Sequence, residues 1–92
     1  MHVLMMGQLA GKKEDYIQLQ SDENKFIRKA IAEGLVRDVF VKPDQTGIVM
    51  ILSDVTADEA REKMASLPFI VHDAARFEYI EIADPPAGIF ES

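Results

Sequence analysis

Residues 47–53 read Gly-Ile-Val-Met-Ile-Leu-Ser, which is the most uniformly apolar run of the chain. Successive side chains of an extended strand point to opposite faces. Val49 and Ile51 therefore share one face, and the three apolar residues that alternate with them share the other. A strand that is apolar on both faces lies in the centre of a sheet that is covered on both sides. A domain of this size covers one side with its own helices, so the sequence predicts that an oligomeric partner covers the other.

The composition limits the class of protein. Ninety-two residues, 48% of them hydrophobic and 28% charged, are typical of one globular domain spanning residues 1–92. The formal net charge of −6 disfavours binding to nucleic acid or to an anionic membrane surface. The absence of cysteine excludes disulfides and thiolate sites. We expect a cytoplasmic protein without a signal peptide or a membrane span.

The apolar periodicity and the turn residues predict an alternating order of strands and helices. Gly34 is expected to end the first helix, and Thr56 and Glu59 form a capping box at the start of the second. The predicted elements are a central strand over residues 3–9, an irregular helical stretch from about residue 13, a helix over residues 22–33, an edge strand over residues 35–42, a central strand over residues 47–53, a helix from residue 57 that stops before Pro68, a connection over residues 69–75 and a half-buried strand over residues 76–83.

This order is the βαββαβ pattern of ferredoxin-like α+β folds, with a four-stranded antiparallel sheet. Right-handed crossovers place the first and third strands in the centre, and these are the two strands that are apolar on both faces. Both helices then lie on one side of the sheet. Covering the other side would bury about 700 Å² or more per subunit, which at roughly 25 cal/mol/Å² is a large driving force for association.

The chain resembles a known group at several points. They are the start of the second strand (Gly-Leu-Val-Arg, residues 34–37), the second helix (Ala-Asp-Glu-Ala-Arg, residues 57–61) with its ending Ser-Leu-Pro-Phe (residues 66–69), and the last strand (Phe-Glu-Tyr-Ile-Glu-Ile, residues 77–82). Together they are similar to the muconolactone isomerase-like and YciI-like proteins of the dimeric α+β barrel superfamily. The resemblance implies a homodimer with face-to-face sheets, sometimes assembled further, and in some members a pocket for a small organic acid or lactone.

Five polar residues are the candidates for chemistry. The resemblance places a basic residue at Arg37, whose planar guanidinium suits a substrate carboxylate; the alternative is a salt bridge with a neighbour such as Glu78. His72 is a candidate general acid or base that Asp73 or Glu78 orients; the alternative is a histidine exposed on a loop. Tyr79 is a further candidate for the lining of a substrate pocket, and the alternative for it is core packing. Two histidines far apart in the sequence form no metal motif, so we expect neither a metal nor a cofactor.

Two functional classes follow from these residues and from the resemblance. The first is a cofactor-independent isomerase or lyase that acts on a small carboxylated or lactone metabolite by proton transfer. The second is a non-catalytic module for small-molecule binding or assembly. A convergent acid–base pair in a pocket favours the first class, and an apolar pocket without such a pair favours the second.

Overall fold

The structure, a computed structural model, describes residues 1–90. Its elements follow the predicted order with shifted ends. The strands are β1 (His2–Leu9), β2 (Val36–Val41), β3 (Gly47–Ser53) and β4 (Ala75–Ile82), and the α-helices are α1 (Lys13–Tyr16), α2 (Gln20–Ala32), α3 (Ala57–Met64) and α4 (Pro68–Val71), with a 3-10 turn (Ile17–Leu19) between α1 and α2.

The four strands form one antiparallel sheet with the order β2-β3-β1-β4. β1 and β3 are the central strands, as their apolar sequences predict. β2 is an edge strand, which the charges of Arg37 and Asp38 also predict. A register shift between Val36 and Asp38 leaves Arg37 as the extra residue of a β-bulge. The predicted βαββαβ fold with a four-stranded antiparallel sheet is therefore confirmed.

One face of the sheet is covered by helices. Val3 and Met5 of β1 and Met50 and Leu52 of β3 are fully buried there. They form one hydrophobic core with helical residues, namely Ile27 and Ala30 of α2 and Ala60 and Met64 of α3. Because side chains alternate along a strand, the residues between them face the other way.

The opposite face, which we call the open face, has no helix of this chain against it within residues 1–90. Leu4 is paired there with Ile51 and Ile80, and Val49 is paired with Met6 and Phe40. Side chains directly opposite each other in neighbouring strands lie on the same face. Phe40 is 60% exposed and Ile80 is 44% exposed. The sheet thus presents an apolar surface on its central strands, with Asp38 and Glu78 on the same face in the two edge strands. This surface is the physical basis of the predicted association between copies of the chain.

The helix ends show where the sequence signals hold. Thr56 accepts a hydrogen bond from the Glu59 backbone N–H at 3.1 Å, and Glu59 accepts one from the Thr56 N–H at 3.0 Å, so the predicted capping box is present. Gly34 follows α2 with φ of 81°, a conformation that glycine adopts without strain.

The prediction for residues 65–71 was wrong. α3 ends at Met64 rather than at Leu67, and Pro68 is the first residue of the short helix α4. Proline is favoured at the first position of a helix, where the missing N–H costs no hydrogen bond. Proline here starts one helix instead of stopping another, and this difference positions a backbone amide in the site.

Candidate functional site

A cavity of about 360 Å³ lies between α2 and one end of the sheet, and we call it the α2 cavity. This end of the sheet contains the last residues of β1 and β2 and the first residues of β3 and β4, which lie together because the strands are antiparallel. Its size is in the range of small-molecule sites. The lining is mainly apolar and comprises Gly7, Leu9, Gln20, Glu23, Asn24, Ile27, Arg28, Val39, Val41, Gln45, Gly47, Ile48, Phe69, Ala75 and Phe77.

Glu23 is the buried acidic group of this cavity. Its position on α2 explains its burial, because Glu23, Ile27 and Ala30 follow the i, i+4, i+7 spacing of the helix stripe that faces the sheet. Its exposed fraction is only 3%, a value typical of a core leucine rather than of a glutamate. A carboxyl group on the core stripe of a helix is a departure from ordinary patterning that calls for a chemical explanation.

The Glu23 carboxyl has a defined partner. The backbone N–H of Phe69 donates a hydrogen bond to Oε1 of Glu23 at 3.1 Å. This N–H belongs to the first turn of α4, where backbone amides have no partner within the helix. Loss of hydration on burial raises the pKa of Glu23, and the hydrogen bond from Phe69 opposes that shift in part. Burial is the larger effect, so the group holds its proton to higher pH than an exposed glutamate.

The rim of the α2 cavity is polar. Gln20, Asn24 and Arg28 follow one another along the exposed side of α2, and the Gln20 amide donates to Asn24 Oδ1 at 2.9 Å. The Arg28 Nε lies 3.5 Å from the backbone oxygen of Asn24, a long contact that leaves most of its donors free. Within residues 1–90, no carboxylate forms a salt bridge with Arg28. The rim therefore offers one guanidinium to an anion, while the interior offers one carboxyl group.

The residues predicted from the sequence lie elsewhere. Arg37 is exposed and forms a 2.8 Å ion pair with Asp38, its neighbour in the chain. Glu78 is paired with Met6 on the open face. Tyr79 lies on the helix-covered face, and the Arg61 guanidinium lies over its ring, with Cζ 5.2 Å from the ring centroid. Burial raises the pKa of Tyr79.

His72 and Asp73 follow directly after α4, and both are exposed. Asp73 has φ of 54°, a left-handed conformation that aspartate tolerates in turns. Within the described residues, none of the five candidates lines the α2 cavity, and they do not converge on one point of the surface. Their catalytic and binding roles stay predictions.

Metal and membrane features are absent from the part of the chain that the structure describes. No cluster of three or more histidine, aspartate or glutamate side chains is arranged there to hold a metal ion. Across residues 1–90, no helix is long and apolar enough to cross a membrane.

The architecture is one antiparallel sheet with helices on one face and a cavity between them. The structure of muconolactone isomerase has this fold: it superimposes with a TM-score of 0.75 at 14% identity, over 100% of this chain and 98% of the isomerase chain. The resemblance to muconolactone isomerase is thereby confirmed at the level of the fold.

Two further solved structures are similar. One is 5-chloro-2-hydroxyhydroquinone dehydrochlorinase from Burkholderia phenoliruptrix in complex with 2,5-dihydroxybenzoquinone, with a TM-score of 0.68, 14% identity and coverage of 90% of this chain and 96% of the enzyme chain. The other is Rv0793 from Mycobacterium tuberculosis, with a TM-score of 0.56, 13% identity and coverage of 95% of this chain and 100% of the Rv0793 chain. No sequence-family model matches the chain, and no curated protein sequence is significantly similar to it.

Proposed function

We propose that the protein is a cofactor-independent isomerase or lyase that binds a small organic acid or lactone in the α2 cavity, with Glu23 as the proton-transferring group. The observation that carries the proposal is a carboxyl group of raised pKa that is buried in the wall of an apolar cavity of ligand size. Perturbed carboxyl groups in clefts are candidates for general acid–base catalysis.

The chemistry needs no further reagent. Ionised Glu23 removes a proton from a carbon beside a carbonyl group, and the electron pair of the broken C–H bond forms a new double bond. In an isomerisation, protonated Glu23 returns the proton to another carbon of the same conjugated system. In an elimination, the electron pair expels an anionic leaving group from the neighbouring carbon. A carboxyl group with a raised pKa is a stronger base when ionised, and it is poised closer to neutral pH.

Arg28 is the residue that binds the carboxylate of the substrate. It lies five residues after Glu23 on the same helix and lines the same cavity, so one molecule can reach both side chains. A guanidinium at the rim suits a bidentate contact with a carboxylate. The apolar body of the substrate would then point inward towards Ile48 and Phe77. This arrangement assigns to Arg28 the role that the sequence suggested for Arg37.

The structural comparisons give the proposal general support. One similar fold is an isomerase, and another is a dehydrochlorinase with a quinone bound. Both names describe those proteins, and at 14% identity the activity of this chain rests on its own cavity. A similar fold at this level of identity supports a related class of small unsaturated substrate rather than the same substrate.

The experiment combines binding with turnover. A thermal-shift screen of small lactones and unsaturated acids identifies a ligand, because a molecule that binds the folded state raises its melting temperature. Glu23→Gln keeps the acceptor for the Phe69 N–H, so binding should persist while turnover falls about a hundredfold or more. Arg28→Met should weaken binding of the acid by about 1.5–3 kcal/mol, the range for a hydrogen bond to a charged group.

Lys25→Met is the matched control, because Lys25 is an exposed cation of the same helix and does not line the α2 cavity. It removes the same charge from the protein and should leave binding unchanged. Equal loss in the Arg28 and Lys25 variants would mean that only the overall charge matters. Turnover by Glu23→Gln at the rate of the parent would exclude Glu23 as the acid–base group.

The alternative function is a non-catalytic small-molecule-binding module. The observation in its favour is that the Glu23 carboxyl already has a backbone partner, so it can serve to fix α4 against α2. This function predicts ligands that shift the melting temperature but are recovered chemically unchanged, with Glu23→Gln binding them as the parent does.

We further propose that the protein is a cytoplasmic homodimer in which the open faces of two copies pack together. The apolar surface that Leu4, Val49 and Ile51 form in the central strands supports the dimer. The absence of cysteine is in keeping with a reducing compartment.

A further inference from the structure

We propose that Gly7 and Phe77 set the shape of the substrate that the α2 cavity accepts, and that they select a molecule with a flat ring. The inference rests on the proposed function, because it refines which acids the cavity binds. It is carried by a separate observation, namely the way in which the Phe77 ring lies over a glycine of the central strand β1.

Gly7 is the small residue in the floor of the cavity. It is paired with Phe77 of β4 on one side and with Ile48 of β3 on the other, and all three residues line the cavity. A methyl group added at position 7 would overlap Cε1 of Phe77 and would lie 2.7 Å from Cδ1. The Phe77 ring therefore occupies the space that a side chain at position 7 would fill. A glycine inside a strand commonly marks such a close approach.

The position of the ring determines the depth of the cavity. Any side chain at position 7 would displace the Phe77 ring, since the nearest atoms are at the far end of that side chain rather than in a backbone. The covered face of the sheet is on the side of the cavity, so the displaced ring would move into the ligand space. Glycine at position 7 thus keeps open a space that alanine would reduce.

The surroundings of the ring favour a planar ligand. Phe69, which carries the amide that binds Glu23, also lines the cavity and belongs to the same hydrophobic cluster as Phe77. A flat unsaturated ring can present its face or its edge to these aromatic rings, and such contacts add up to roughly tenfold in affinity beyond simple burial. A puckered saturated ring is thicker and lacks the π-electron contact. The cavity should therefore discriminate between two acids of equal carbon number by their shape.

The test uses benzoate and cyclohexanecarboxylate as probes, because they share a carboxylate and a six-membered ring and differ in planarity. Isothermal titration calorimetry gives the ratio of their dissociation constants for the parent, for Gly7→Ala, for Phe77→Leu and for the double variant. The parent should bind benzoate more tightly, by up to roughly tenfold. Gly7→Ala and Phe77→Leu should each bring the ratio towards one. In the Phe77→Leu background, Gly7→Ala should have little further effect because the ring that it displaces is absent.

The outcomes separate this inference from the proposed function. Binding of both acids with equal affinity to the parent would overturn the shape selection and leave the organic-acid site in place. A preference for benzoate that Gly7→Ala leaves unchanged would mean that Gly7 serves strand packing alone. Failure of the parent to bind either acid would overturn the inference, while the proposed function would still be decided by the screen of lactones and unsaturated acids. If Gly7→Ala does not fold, Phe77→Leu decides: an undiminished preference for benzoate refutes the role of the ring.

Discussion

Val49→Asp is the sharpest test of what covers the open face. Val49 lies in the central strand β3 with apolar partners on both sides, Met6 in β1 and Phe40 in β2. Ile51 is a less clean position, because it is paired with Asp38, and a second carboxylate there would add direct charge repulsion. The residues directly opposite position 49 are both apolar, so the effect of a charge there reports mainly its burial.

The size of the open face and the symmetry of a dimer set the expected loss of dimer affinity. Four strands about 4.8 Å apart and about seven residues long at roughly 3.3 Å per residue give a face of about 19 by 23 Å. A two-fold dimer places the same surface on both subunits, so Val49→Asp introduces two carboxylates into the interface. An uncompensated buried polar group costs at least about 2 kcal/mol, or about 4 kcal/mol per dimer. That cost weakens the dissociation constant by about a thousandfold.

Light scattering across a dilution series measures the effect. The parent should give at least twice the chain mass of 10.3 kDa at micromolar concentration, and Val49→Asp should shift to monomer or unfold. Val71→Asp is the matched control, since Val71 is 62% exposed in α4 and lies outside the sheet. A monomeric parent, or a Val49→Asp variant that associates as tightly as the Val71 control, would refute the argument from the open face.

Three further predictions concern stability and the remaining candidates. Thr56→Ala removes the side-chain cap of α3 and should cost about 1 kcal/mol, seen as a melting temperature several degrees lower; an unchanged melting temperature would mean that the cap is not stabilising. Because burial raises the pKa of Glu23, the protonated side chain contributes to folding stability at acid pH. This contribution is lost as the pH rises through the raised pKa. The melting temperature of Glu23→Gln should therefore equal that of the parent near pH 4 and exceed it by a growing margin towards pH 8. A constant difference across this range would contradict a titrating Glu23. If His72 and Arg37 form the site, His72→Asn should lower turnover by about a hundredfold with binding retained, and Arg37→Met should weaken ligand binding; parental kinetics in both variants would make these residues structural.

Most of the fold could be predicted from local patterns. The uniformly apolar sequence of residues 47–53 identifies β3 as central, because a strand at the surface alternates apolar and polar residues. Thr56 and Glu59 identify the start of α3 because their bonds connect residues three apart. Each of these signals involves residues that are close together in the sequence, so it can be recognised without knowledge of the tertiary structure.

The site was harder to predict because its contacts are long in range. Glu23 reaches Phe69 across 46 positions of the chain, and no pattern near either residue indicates that they meet. Pro68 was interpreted as the end of a helix, which left the Phe69 amide in an unstructured connection. One signal was present: Glu23 occupies the same helical stripe as Ile27 and Ala30. A charged residue on the apolar stripe of a helix is a signal of such a site, whereas the candidates His72 and Arg37 lie at exposed positions.

One departure from ordinary folding rules lies in the wall of the α2 cavity. Glutamate occupies the core stripe of α2 where an apolar residue is usual, whereas glycine in the central strand β1 makes room for the Phe77 ring that packs over it. A carboxyl group buried in this way lowers stability when considered alone, and foldable sequences normally avoid such conflicts except at functional sites. Its position in the lining of a 360 Å³ cavity therefore favours a ligand that needs a carboxyl group over a role in packing alone.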